Sequence, residues 1–144
     1  DANAWGVDLS NGETAEVWWS PWHPFPSALT GETPADILDQ YTSLTGRDWT
    51  ATIGYKYAAM EIAVDALKRA ASLDPVKIRD AIGATDLDTV VGHVKYDAET
   101  HVAATPLVMG QWTKNAAGDK VEMQIINNYR YEDIPVTSEL FLTK

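Results

Sequence analysis

Ile53-Gly54-Tyr55-Lys56-Tyr57-Ala58-Ala59-Met60-Glu61-Ile62-Ala63-Val64-Asp65-Ala66-Leu67-Lys68 is the longest periodic stretch of the chain, and its reading decides the fold. Met60, Ala63, Val64, Leu67 and Ala71 recur at helical spacing, so the pattern predicts a helix from about Tyr55 to Ala71 with these residues as its apolar stripe. Asp65 and Arg69 stand four residues apart, where an acidic and a basic side chain pair along one helix face. The frequent alanines suit close packing on a sheet.

Helices are read on both sides of it. Thr33-Pro34 combines an N-cap with a residue suited to the first helical position, and Gly46 supplies the left-handed stop. Ile37, Leu38, Tyr41 and Leu44 lie on one face of that helix. Asp74-Pro75 repeats the start signal, with Ile78, Ala81 and Ile82 facing inward and Gly83 at the end. Thr89–Tyr96 reads as a strand, as do Ala15–Trp19, Pro106–Trp112 and Val121–Ile126. The polar stretch 113–120 joins the last two as a hairpin. Strands separated by helices predict an α/β fold with a parallel sheet flanked by helices, followed by a C-terminal β-hairpin. The tail from Tyr129 is polar and irregular, with one apolar patch at Leu140-Phe141-Leu142.

A length of 144 residues fits one domain or a large piece of a bigger one. The net charge of −10 sets the surface against nucleic acid and anionic membranes. Without cysteine there are no disulfides, thiolate zinc sites or cysteine nucleophiles. The chain opens on Asp1 with neither Met nor a leader, and is expected to be mature or truncated, with a signal peptide lost upstream.

No nucleophile elbow, phosphate-cradling glycine loop or zinc-protease pattern occurs, so the chain is read as a non-enzyme with no cofactor. His23, His93 and His101 lack metal-pair spacing. Asp97, Glu99 and His101 alternate, but without the turn glycine of the common calcium loop they read as solvated, and so do Asp86 and Asp88.

The densest local feature is the aromatic loop 18–26, where Trp18, Trp19, Trp22, His23 and Phe25 crowd together among three prolines. Tryptophan offers a flat face and one N–H donor to a flat or apolar ligand. Rings that wedge the loop onto the domain account for it equally well. Tyr55 stands at an expected strand-to-helix junction, where parallel α/β sheets bind ligands. A packed core tyrosine is the competing reading. Trp19, Trp22, His23 and Tyr55 are therefore the candidate ligand-binding residues, with Tyr57 behind Tyr55.

The helix quoted above resembles one found in type I periplasmic solute-binding proteins of the leucine/isoleucine/valine-binding kind. So do Asp74–Ile82, Leu87–Asp97 and Ala104–Trp112, in that order. The Trp18-Trp19-Ser20-Pro21 loop is similar to a branch that takes up aromatic or other organic acids. The resemblance covers the carboxyl-terminal part of a two-lobed fold. It implies a solute-binding component of an ABC importer, periplasmic or extracellular, for a branched-chain amino acid or small organic acid. Residues 1–104 would then complete the amino-terminal lobe, and residues 105–144 would form a crossing strand and hairpin of the other lobe. Tyr55 matches the family's aromatic ligand position. The implied partners are the solute, the remainder of the same binding protein and a membrane permease. A ligand-sensing receptor domain stays open as an alternative, as does an all-β carbohydrate-binding module using the Trp loop.

Overall fold

The computed structural model describes residues 2–143, which divide into two compact units: residues 18–106, and residues 2–17 together with 107–143.

Residues 18–106 carry three helices and a hairpin. Helix α2 spans Pro34–Thr45, where the Thr33 hydroxyl accepts from Asp36 N and the Asp36 carboxylate accepts from Thr33 N. This reciprocal capping box satisfies two donors that the first turn leaves free. Gly46, at φ 65°, ends it. Helix α4 spans Pro75–Gly83, and the Asp74 carboxylate caps Val76 N at 2.8 Å and Lys77 N at 3.1 Å. Both start where their cap signals predict.

Helix α3 spans Ala51–Ala70 and begins four residues before its expected start, so Gly54 lies inside it rather than ahead of it. A Cβ on Gly54 would fall within the indole ring of Trp19, which is why the helix carries a glycine there at the expense of backbone entropy. The predicted stripe is also not the buried one. Met60 is 64% exposed, and Val64 and Leu67 are exposed too, while Gly54, Ala58, Glu61 and Ala66 are buried. Helix α3 is apolar on more than one side, so spacing alone offers two faces. The face chosen is the one whose small residues admit Trp19 and Val90. Asp65 and Arg69 pair at 2.7 Å as expected.

The predicted strand 89–96 is a hairpin instead. Strand β2, Asp86–Thr89, pairs antiparallel with β3, Gly92–Lys95. Val90 and Val91 occupy the turn and are buried, and Gly92 takes φ 102°. The Thr89 hydroxyl donates to Gly92 O at 2.8 Å and accepts from Val91 N. Trp19, Ile37, Ala58, Val90, Val91 and Val94 form the core beneath α3.

In the other unit, α1, Val7–Ser10, precedes β1, Thr14–Val17. Strands β4, Val108–Lys114, and β5, Val121–Asn127, form the predicted hairpin, and β1 joins its β4 edge. Residues 14–17, grouped above with the helical segment, thus pair with 108–111. Gly110 lies at the β4 irregularity, where Val17 and Met123 leave no room for a side chain. The irregular tail is held down: Ile134 is buried, Thr137 exchanges hydrogen bonds with Ile125, and buried Gln111 donates to Gly12 O and Phe141 O.

The chain is α/β, as read. The expected parallel sheet is not formed, because every strand pair among the described residues is antiparallel. Parallel neighbours require a crossover that returns a strand to the same sheet. Between Pro34 and Gly83 no strand intervenes, so the helices have none to connect.

Candidate functional site

The aromatic loop separates into an enclosed part and an open part. Trp19 is fully buried against Gly54 and sits edge-on to Trp49 at 6.3 Å between ring centroids. Its Nε1 has no hydrogen-bond partner. Half-buried Trp22 meets Trp49 from another side, at 5.6 Å and perpendicular. His23 is 2% exposed, with Nδ1 paired to the Ser20 hydroxyl at 2.7 Å and Nε2 unpartnered. Burial disfavours the imidazolium and pulls its pKa from 6.5 down to about 4, so the ring is neutral near pH 7. The Phe25 ring stands 6.0 Å from it.

Trp18, the neighbour of buried Trp19, is 44% exposed. It meets Tyr55 edge-on at 5.6 Å. Tyr55 lies in the second turn of α3, not at a strand-to-helix junction, and its hydroxyl pairs with Thr105 Oγ1 at 2.9 Å. Of the four candidates, then, Tyr55 stands with Trp18 and Thr105, Trp19 and Trp22 share Trp49, and His23 belongs with Ser20 and Phe25. Thr105 and Trp49 escaped the sequence reading. Each is a single residue without a motif around it, joined to the aromatics only through the fold.

Tyr57 is engaged elsewhere. Its hydroxyl donates to Glu32 and lies 3.1 Å from the Thr30 hydroxyl. Burial and the adjacent Glu32 raise the Tyr57 pKa, while the Tyr57 and Gln40 donors lower that of Glu32. One turn on, Glu61 is 4% exposed. Its Oε2 accepts from Val90 N at 3.2 Å, and Oε1 lacks a hydrogen-bond partner. Desolvation raises its pKa, opposed by Ser27 and Val90 N and reinforced by Glu32. Because the folded pKa lies above the unfolded one, the charged carboxylate is a cost at high pH. That cost is relieved as pH falls through the folded value and is gone below about 4.5. Glu61→Gln should therefore be more stable than wild type at pH 8, with the gap narrowing as pH falls and closing below about pH 4.5. Urea midpoints of the two proteins at both pH values check this.

The remaining motifs are tied up locally. Asp97 accepts from the amides of Glu99 and Thr100, a turn rather than a cation loop. His93 lies between Asp86, at 3.1 Å, and Asp88, at 2.7 Å, on the exposed face of the β2–β3 hairpin. Among the described residues, no three His, Asp or Glu side chains are placed to hold a metal, and no helix is long and apolar enough to cross a membrane. A shallow groove of about 580 Å³ runs between α4 and Tyr96, lined by Pro75, Ile78, Arg79, Ile82 and His101.

A family profile described as periplasmic binding protein matches residues 7–119. The chain belongs to the periplasmic binding protein family. Solved structures agree in fold. A leucine binding protein from Thermotoga maritima superposes with a TM-score of 0.66 at 21% identity, covering 87% of this chain and 33% of that one. A type 1 periplasmic binding protein from Bordetella pertussis gives 0.65 at 19% identity, over 86% and 36%. An ABC-type branched-chain amino acid transporter protein from Rhodopseudomonas palustris gives 0.65 at 15% identity, over 92% and 36%. No curated protein matches by sequence. The chain thus spans about a third of the length of the periplasmic binding proteins that share its fold. Family and fold are those of solute-binding proteins rather than of enzymes. An all-β carbohydrate-binding module does not fit a chain with helices of 12, 20 and 9 residues.

Proposed function

We propose that this chain is part of the extracytoplasmic solute-binding component of an ABC importer, and that the complete protein takes up a branched-chain amino acid or a small organic acid, aromatic or aliphatic. The observation that carries the reading is the Trp18–Tyr55 pair: an exposed indole set edge-on against a tyrosine of the long helix, in a chain of this family. Two rings at such an angle offer an apolar wall to a flat or branched side chain. Trp19, Trp22 and His23 serve the site from behind, by seating the loop that presents Trp18. The open stripe of Met60, Val64 and Leu67 supports a further polypeptide segment of the same protein packing there.

Residues 18–106 then belong to one lobe, and residues 2–17 with 107–143 to the other. Solute favours the closed arrangement of the lobes and shifts the population towards it, and the closed form is what a membrane permease would recognise. No covalent step and no cofactor enter.

The test is calorimetry on the protein carrying both lobes, against branched-chain amino acids and aromatic and aliphatic carboxylates. Binding with a Kd in the micromolar range is expected for one class. Tyr55→Ala removes a ring and should weaken it about tenfold or more, in line with the worth of one aromatic contact. Failure of every solute to bind at millimolar concentration rejects the transport reading. Unchanged affinity in the variant removes Tyr55 from the site.

A further inference from the structure

Val17 and Val108 are register partners in β1 and β4, so the chain leaves that sheet and returns to it through adjoining strands. Between those points it runs through residues 18–106, and there both ends of the run are fastened to one turn of one helix. At the first end, the Trp18 ring meets Tyr55 edge-on, and the Trp19 ring fills the space beside Gly54. At the second end, Thr105 Oγ1 pairs with the Tyr55 hydroxyl at 2.9 Å. Pro106 packs on Gly92, with its Cδ 2.9 Å from where a Cβ would stand. Pro106 has a fixed φ and confines Thr105 before it to extended backbone. One side-chain hydrogen bond is then enough to orient this short segment.

We propose that Gly54–Tyr55 anchors both chain crossings to α3, and that Thr105 is the positioning residue that fixes the second of them. Tyr55 thereby has two duties. Its ring faces Trp18, and its hydroxyl, which a solute would otherwise use, is committed to Thr105. The fully buried Trp19 ring packed on Gly54 holds this turn in place, so residues 18–19 and 105–106 move with α3 rather than with β1 and β4. Taken with the proposed solute-binding function, on which this last consequence rests, a solute pressing on the Trp18–Tyr55 wall acts directly on the element that holds both connections.

Backbone ¹⁵N order parameters of the 144-residue chain, without any solute, test the anchor. In Tyr55→Phe and in Thr105→Val the values at position 105 and at Leu107 should fall from about 0.85 towards about 0.6. Thr105→Ser keeps the hydroxyl and should restore the wild-type values. The α3 amides from Ala58 to Ala66 should not change. Unaltered values at 105 and 107 in both variants overturn the proposal, and so does an equal drop throughout α3, because the hydroxyl would then be supporting the helix and not the crossing. Solute affinity measured on the same variants in the two-lobed protein reads the function separately. If nothing binds while the order parameters fall as expected, the transport reading is lost and the anchor stands.

Discussion

Gly54→Ala should destabilise the protein by about 3 kcal/mol, in spite of alanine's advantage in a helix interior. In an exposed helix the same change stabilises by roughly 1 kcal/mol, because glycine loses more backbone entropy on folding and forms helix poorly. Here the added methyl would fall within the ring of Trp19, a side chain with no exposed surface and Trp49 behind it. Overpacking of a filled core costs about 1–3 kcal/mol, and overlap with a rigid ring lies at the upper end. The expected sign is therefore opposite to the propensity rule. Trp19→Ala alone should cost about 3–5 kcal/mol through the cavity it leaves. Combining the two changes supplies the control. With the ring gone, the methyl introduced at position 54 meets open space, so adding Gly54→Ala to Trp19→Ala should be neutral or stabilising by up to about 1 kcal/mol. Urea denaturation of the four proteins measures the cycle, and additive effects would show that the Gly54–Trp19 contact does not set the face of α3.

Acidification should destabilise the fold through His23. Its folded pKa, about 4, lies below the 6.5 of the unfolded chain, because the enclosed ring resists charging. The unfolded state therefore binds the proton first. Stability is fully present above pH 6.5 and is lost as pH falls from there towards 4. The shift corresponds to a loss of about 2–3 kcal/mol between pH 7.5 and 4.5. Glu61 acts in the opposite direction over part of this range, so the quantity to read is a difference between variants. The unfolding free energy of wild type should drop about 2–3 kcal/mol more than that of His23→Gln between the two pH values. Parallel pH profiles would mean that His23 is hydrated in solution and open to protonation.

Both effects arise in the aromatic loop, and they bear on how the candidate site could be read in advance. Trp18, Trp19, Trp22 and His23 share one composition signal, yet their fates differ: Trp18 is open, Trp19 and His23 are enclosed. Neighbours in an extended segment point to opposite sides, so the question is which side the helix covers, and the loop's own residues do not carry the answer. Tyr55 stands out in the sequence at an expected strand-to-helix junction, whereas it lies in the second turn of α3. Its partner Thr105 lies fifty residues away, with no local mark. Glu61 was hidden in the same way. An acid among apolar residues of a helix reads as solvent-facing until the Val90 amide of the β2–β3 turn is brought to it.

Features whose partners lie within a few residues were settled by the order of amino acids alone. Thr33-Pro34 and Asp74-Pro75 start α2 and α4 because each cap closes on amides two or three positions ahead. Gly46 stops α2, and the polar run 115–120 turns β4 into β5, for equally local reasons. The resemblance to the family rests on the stretches Ile53–Lys68, Asp74–Ile82, Leu87–Asp97 and Ala104–Trp112, taken in that order. Long-range packing made the remaining choices: which face of α3 is buried, that residues 86–95 fold back on themselves, that β1 joins β4, and which rings of the loop remain open. Each of these lies between alternatives of similar local energy. The outcome depends on where distant side chains, above all Trp19, find room to pack.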